Sequence, residues 1–215
     1  MDKKLLIFDL DGTLLNTVAD LNQSLNYAFR KNGVPERSVE HTAHAIGNGI
    51  SITIYRSLPE GASEELHDQA LKDFRIHYRN HYLDNTLPYD GMLDTLVELK
   101  KRGYLLAVAT NKLDEIAKDM ISTLFPNIFD VVIGDLLSLP KKPDPTIIDM
   151  VINILGVERS NVTYIGDSEV DIESASNAQV DLILVNYGFH RTEEFLDYQE
   201  VKHIDKPNEL LNLFK

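Results

Sequence analysis

The sequence predicts an α/β fold, a doubly wound (Rossmann-like) parallel sheet interrupted by an all-helical insertion, on three observations. Short apolar runs recur along the chain, each closing on polar or glycine residues; helical patterns separate the later runs; and one long interval near the start has helical periodicity but no convincing strand. Runs that are apolar throughout, rather than alternating, are what strands covered on both faces require.

In chain order, the first run spans residues 5–8. The exceptional interval follows. Val18, Leu21, Leu25, Ala28 and Phe29 fall at helical spacing before Gly33-Val34-Pro35 stops the pattern, and Leu66, Ala70, Phe74 and Tyr78 form a second helix with Ser63 as its N-cap. The domain organisation expected is thus a core of residues 1–14 and 87–215 carrying a helical unit of residues 15–86, with Pro88 and Gly91 marking the return. Strand runs at 105–109, 131–133, 162–165 and 182–185 then alternate with helices over 92–102, 115–124 and 145–155, the last stopped by Gly156. The basic run Lys100-Lys101-Arg102 reads as the last turn of a helix, where cations complement the dipole.

Composition narrows the chemistry. A chain of 215 residues with 43% hydrophobic and 26% charged residues can bury a core without staples. Cysteine is absent, which excludes disulfides, thiolate nucleophiles and cysteine metal sites. Asp and Glu number 34 against 21 Lys and Arg, and the resulting charge of −13 speaks against nucleic acid as a partner. No apolar run approaches the roughly eighteen residues of a membrane span. The run at 5–8, cut short by Asp9, is too brief for a signal-peptide core, so no membrane is expected and the expected location is cytoplasmic.

In an open parallel sheet, ligands bind beyond the carboxyl ends of the strands. The residues there are Asp9, Asp11, Gly12 and Thr13 after the first run; Thr110, Asn111 and Lys112 after the second; Lys141 and Lys142 before a helix; and Asp167, Ser168 and Asp171 after the fourth. Strand alternation would put Asp9 and Asp11 on one side. Carboxylates so crowded call for a cation, and an all-oxygen donor set favours Mg²⁺. A lysine beside such a site suits an anionic ligand, most simply a phosphoryl group.

The four stretches FDLDGTLLNT (8–17), ATNK (109–112), KKPDP (141–145) and GDSEVD (166–171) resemble, in order and spacing, the four motifs of the haloacid dehalogenase superfamily, and the helical insertion is similar to the mobile cap of its phosphatases. The start, the long cap, and the stretches YIGDSEVDIESA and NYGFH look most like the branch that hydrolyses 2-phosphoglycolate. That resemblance implies a phosphomonoester hydrolase working through an aspartyl phosphate on a small phosphorylated substrate. It makes Asp9 the nucleophile and Asp11 the acid and base. Thr110, with the Asn111 backbone N–H, would hold the phosphoryl oxygens, and Lys142 would offset charge. Mg²⁺ would sit on Asp9, Asp167 and the Asp11 carbonyl, with Asp171 orienting a metal-bound water or Lys142. Asp11 argues for phosphate over halide chemistry.

Pyrophosphatase, nucleotidase and phosphosugar mutase are the related alternatives, Thr13 leaning away from the mutase. A phosphate-accepting switch is the alternative of another class. Thr110 and Asn111 could instead cap a helix, and Asp171 could be a first-turn acid. Gly47-Asn48-Gly49 is either a loop that meets substrate or a helix break. His77 and His81, like His41 and His44, lack an evident third ligand for zinc. Gln179 stands where relatives often have glycine, which calls for a left-handed backbone there.

Overall fold

The computed structural model describes residues 4–189, 198 and 200–215. The chain divides into two compact units: one comprises the chain up to Leu15 with Pro88–Lys215, the other Asn16–Leu87.

The first unit is built on a six-stranded parallel sheet. Its strands are β1 (Leu5–Phe8), β4 (Leu105–Leu113), β5 (Val131–Asp135), β6 (Val162–Gly166), β7 (Asp181–Val185) and β8 (Lys202–Ile204), in the spatial order β5-β4-β1-β6-β7-β8. Every residue of β1 is buried, as its unbroken Leu-Leu-Ile-Phe run requires. The helices are α5 (Met92–Lys101), α6 (Asp114–Leu124), α7 (Thr146–Leu155), α8 (Glu169–Ala178) and the short α9 (Leu210–Leu213). Ile147, Ile148 and Val151 of α7 and Ala175 and Ala178 of α8 share one core with Leu5, Ile7, Ala109 and Tyr164. Each such branched side chain contributes about 1.5–3 kcal/mol by leaving water. Gly156 ends α7 at φ 62°, and Gln179 closes α8 in the left-handed conformation at φ 53°, ψ 49°.

The strand order places β1 between β4, from which the chain continues to one edge, and β6, from which it continues to the other. The crevice beyond β1 and β6 is the switch point at which open α/β sheets bind ligands.

Two departures from the expected elements stand out. β8 was not anticipated, since Lys-His-Ile carries too little apolar signal. β4 does not stop at Ala109: it pairs with β5 through Ala109↔Ile133, shifts register, and resumes at Leu113↔Asp135. Thr110, Asn111 and Lys112 occupy that irregular stretch, as residues of a bulge placed to re-aim side chains do.

The second unit is helical: α1 (Val18–Lys31), α2 (Val39–Ala45), α3 (Ile50–Ser57) and α4 (Glu64–His81). α1 and α4 make its main pairing, burying Leu25, Ala28 and Phe29 against Ala70, Phe74 and Tyr78 at the expected spacing. The Ser63 hydroxyl accepts from the Leu66 N–H, as its N-cap role requires. Periodicity had missed α2 and α3, each under nine residues and too short to display a pattern. Two-residue strands, β2 (Leu15–Asn16) and β3 (Leu87–Pro88), pair where the chain passes between units, in an interval expected to lack strands.

Candidate active site

β1 ends at Phe8, and the Asp9 N–H makes one last bond, 2.9 Å, to the Ile165 carbonyl of β6. The chain then curls: the Leu10 carbonyl accepts from the N–H groups of Thr13, Leu14 and Leu15. Gly12 is required twice over. Its φ is +87°, and a Cβ there would lie 2.2 Å from Oδ2 of Asp167. Asp9 and Asp11 are therefore not successive strand residues, and the alternation that would keep them together does not apply. Their carboxylates go to different lysines.

Asp9 Oδ1 accepts from Lys142 Nζ at 2.8 Å. The same ammonium donates to Asp171 Oδ1 at 2.8 Å and to the Tyr164 hydroxyl at 2.7 Å, so all three of its protons are used. Burial pulls the Lys142 ammonium down, but Asp171 and Asp9 outweigh it and hold its pKa above the ordinary lysine value. The Asn111 side chain fixes the lysine from behind: its Oδ1 accepts from the Lys142 N–H at 2.8 Å and its Nδ2 donates to the Lys142 carbonyl at 3.0 Å.

Asp171 is saturated. Oδ1 accepts from Lys142 and, at 3.1 Å, from Tyr164; Oδ2 accepts from the Asp167 N–H, the Ser168 N–H and the Ser168 hydroxyl. Burial raises this carboxyl, but Lys142 and the hydrogen bonds win and keep it below the usual carboxylate range. Asp167 is held by the Thr13 hydroxyl and the Phe189 N–H, both at 2.9 Å. Gly188 crowds it as well: a Cβ there would lie 2.3 Å from that of Asp167.

Asp9, Asp167 and Asp171 bring carboxylate oxygens within 4.8 Å of one another, all buried. Burial, opposed by Lys142 and reinforced by Asp171 and Asp11, pushes Asp9 up to about 6. Burial together with Asp171 and Asp9 raises Asp167 well above the carboxylate range, against the Phe189 and Thr13 bonds. Lys142 neutralises one of the three acids, and Asp171 has no lone pair to spare. Asp9 and Asp167 are left as neighbouring buried acids in want of a cation, and oxygen donors suit Mg²⁺.

Asp11 adds its charge to the field at Asp9, but its carboxylate bonds to a different lysine. Both its oxygens accept from Lys112 Nζ, at 2.8 and 3.1 Å. Thr110, 2% exposed, is not a helix cap, since α6 begins only at Asp114; its hydroxyl accepts from the Lys112 N–H at 3.3 Å. Asp171 does occupy the first turn of α8, reciprocating with Ser168 in a capping box, so its two readings coexist.

Sequence reasoning gave no role to Lys112, Tyr164 or Ser168, and tied Thr13 to no partner. Lys112 lay within ATNK, and Tyr164 within the apolar run at 162–165, next to Thr163. Tyr187, Gly188 and Phe189 of the NYGFH stretch lie near Asp167 and Thr13, the Tyr187 hydroxyl donating to the Thr13 carbonyl at 3.3 Å; His190 lies outside the described residues. Tyr89 packs against Tyr187 with ring centroids 4.8 Å apart and the rings tilted by 56°.

In the helical unit, Gly47-Asn48-Gly49 joins α2 to α3. Gly47 and Gly49 have φ of 124° and 85°, and Asn48 Oδ1 accepts from Arg56 at 2.8 Å. His77 and His81 stack on each other and are engaged by Ser24 and Asp84, while His41 meets Ser57. Among the described residues, Asp9, Asp167 and Asp171 are the one group of three or more such side chains disposed to hold a metal. No helix is long and apolar enough to cross a membrane.

Comparisons with known proteins agree with this geometry. The chain is 31% identical over 205 residues to the phosphoglycolate phosphatase of Aliivibrio fischeri, covering 92% of this chain and 90% of that one. It is 29% identical to the phosphoglycolate phosphatase of Aquifex aeolicus, covering 98% and 96%. A crystal structure from Lactobacillus delbrueckii subsp. bulgaricus, of a protein proposed to be a phosphoglycolate phosphatase, superposes with a TM-score of 0.94 at 31% identity, covering 100% of this chain and 99% of that one. Residues 6–185, which contain every acidic and basic group described above, match the family of haloacid dehalogenase-like hydrolases, and the chain belongs to that family.

Proposed function

We propose that this protein is a Mg²⁺-dependent phosphatase that hydrolyses a small phosphomonoester, 2-phosphoglycolate in the best reading, through an aspartyl phosphate (an acyl phosphate) at Asp9. The observation that carries the proposal is the division of labour between two acids two residues apart: Asp9 bound by Lys142 beside Asp167, and Asp11 bound by Lys112. In this reading the first attacks phosphorus and the second manages protons.

In the first step an Asp9 oxygen bonds to phosphorus, the bond to the leaving oxygen breaks, and Asp11 gives that oxygen its proton. In the second, Asp11, now a carboxylate, takes a proton from water as the water attacks phosphorus and Asp9 is released with inorganic phosphate. Lys142 offsets charge on the nucleophile and the transferring group, and the Thr110 hydroxyl and Asn111 N–H hold its oxygens. Asp171, Tyr164 and the Asn111 side chain position Lys142 and do not touch phosphate. Asp9, Asp167 and the Asp11 carbonyl would hold Mg²⁺, which when bound would supply positive charge to the phosphoryl group. In this reading residues 16–87 serve as a cap that excludes bulk water.

The test is phosphate release from a panel of 2-phosphoglycolate, pyrophosphate, nucleotides, sugar phosphates and p-nitrophenyl phosphate, with and without Mg²⁺. Many turnovers per chain, dependence on Mg²⁺, a preference for two- and three-carbon acid phosphates, and a loss of about a thousandfold or more in Asp9→Asn are expected. A single stable phosphate per chain would indicate a switch instead. Wild-type turnover in Asp9→Asn would remove the nucleophile.

A further inference from the structure

Lys112 has no part in the mechanism above, yet it and Lys142 are the buried lysines among the described residues, at 8% and 4% exposure. Lys142 serves the phosphoryl side, through Asp9. Lys112 serves the opposite side, through the acid that faces the leaving group. It stands in the irregular stretch of β4 after Ala109, and normal pairing resumes one residue later at Leu113↔Asp135, so its direction is fixed by the sheet.

We propose that Lys112 binds a carboxylate of the substrate, attached to the carbon that bears the leaving oxygen, and so makes the site selective for phosphate esters of α-hydroxy acids. The proposal rests on the reading of Asp11 as the leaving-group acid. Three features support it. The Lys112 ammonium already acts as a carboxylate receptor, donating to both Asp11 oxygens at 2.8 and 3.1 Å out of bulk water, where such charge-assisted bonds are strong. Its reach is right: if Asp11 places one oxygen on the leaving oxygen while the other stays on Lys112, two hydrogen bonds sharing a carboxyl group put the ammonium roughly 5–6 Å from the leaving oxygen. A carboxylate one carbon from that oxygen spans the gap; one a carbon further on would have to fold back.

The exchange also accounts for selectivity in both directions. An Asp11 oxygen that turns to the leaving oxygen gives up a contact with Lys112, and an α-carboxylate replaces it. An ester without the carboxylate weakens the Asp11–Lys112 pair and returns nothing in exchange, so it binds less well than one that supplies the replacement contact.

The experiment measures kcat/KM of wild type, Lys112→Met and Lys112→Arg for 2-phosphoglycolate and for 2-hydroxyethyl phosphate, which has the same two-carbon chain without the carboxylate. The readout is the ratio of the two values, which cancels any loss common to both substrates and any fraction of protein that fails to fold. Wild type should favour 2-phosphoglycolate, and Lys112→Met should reduce the ratio about 10- to 100-fold, largely through KM, the range expected for one charge-assisted bond. Lys112→Arg should keep most of the ratio. A ratio unchanged in Lys112→Met overturns the proposal and makes Lys112 a positioning residue for Asp11. If Lys112→Met yields no active protein, wild type alone still decides: the phosphate ester of 3-hydroxypropionate must be a poorer substrate than 2-phosphoglycolate, and equal use of the two overturns the assignment. Failure of the parent reading looks different, since folded wild type would then turn over no phosphomonoester at all, p-nitrophenyl phosphate included.

Discussion

Asp20 and Asp73 of the helical unit and Asp9 and Asp167 of the sheet unit are all buried, but their surroundings differ in kind. Asp20 accepts from the Asn85 N–H and side chain and from the Thr86 N–H and hydroxyl, with distances of 2.8–3.0 Å. Asp73 accepts from Lys31, Asn32 and Gln69 at 2.6–3.0 Å. Burial alone would raise Asp73, yet these bonds and the Lys31 charge take it down to about 2. Asp9 and Asp167 have fewer donors and face other acids, and both are raised. A buried acid matched by its own fold holds structure together. Buried acids that the fold leaves in surplus mark the place where something else must bind. Asp171 sits in the sheet unit but resembles the helical-unit acids, which agrees with a positioning role.

The contrast is broken or sharpened most directly by a pair of substitutions with opposite signatures. Asp9→Asn should abolish turnover while leaving the Mg²⁺-free protein at least as stable as wild type at pH 7.5, because it removes a charge the site disfavours. Asp20→Ala should lower unfolding stability by about 2–4 kcal/mol, having orphaned the buried donors of Thr86, while folded protein keeps its turnover of p-nitrophenyl phosphate. Chemical denaturation with parallel assays checks both, and a stability loss in Asp9→Asn would remove the distinction between the two kinds of acid.

The next effect in size concerns pH. Asp9 has a folded-state pKa above its unfolded value, so its contribution to stability is fully present below about pH 4 and is lost as pH rises through 6, worth up to about 3 kcal/mol without Mg²⁺. Asp73 is opposite in sign: its contribution is present above about pH 4 and lost as pH falls through 2, worth about 1–2 kcal/mol after allowing for the exposed Lys31. Hydrogen exchange in Mg²⁺-free buffer at pH 7, 5 and 3 should therefore show β1 and β6 gaining protection from 7 to 5, and α1 and α4 losing it toward 3. The smallest expected change is in Gly188→Ala, whose new methyl group crowds Asp167: the Mg²⁺ concentration for half-maximal rate should rise about tenfold, with little loss of kcat at saturation.

Much of this was legible in the residues. The runs that form β1, β4, β5, β6 and β7 are apolar without interruption, and long-range order does not change that local signal. Asp9, Lys142, Asp167 and Asp171 were named because each follows or precedes such a run. Lys112 was named with its neighbours but given no role, because which of several polar residues in a strand-end stretch turns toward the site depends on a register shift against β5, a partner some twenty residues away. The role of Asn111 differs for a similar reason. Its side chain binds the backbone of Lys142, thirty-one positions on, a contact visible only in three dimensions.

The place of β1 in the sheet has a further consequence for biosynthesis. Leu5 pairs with Leu105 on one side and with Val162 on the other, so β1 has no partner in the sheet until about a hundred further residues have been made, and its second partner arrives later still. A nascent chain truncated before β6 thus has Asp9 and Lys142 but neither Asp167 nor Tyr164. The acidic cluster of the sheet unit is therefore assembled only after β6 has been made.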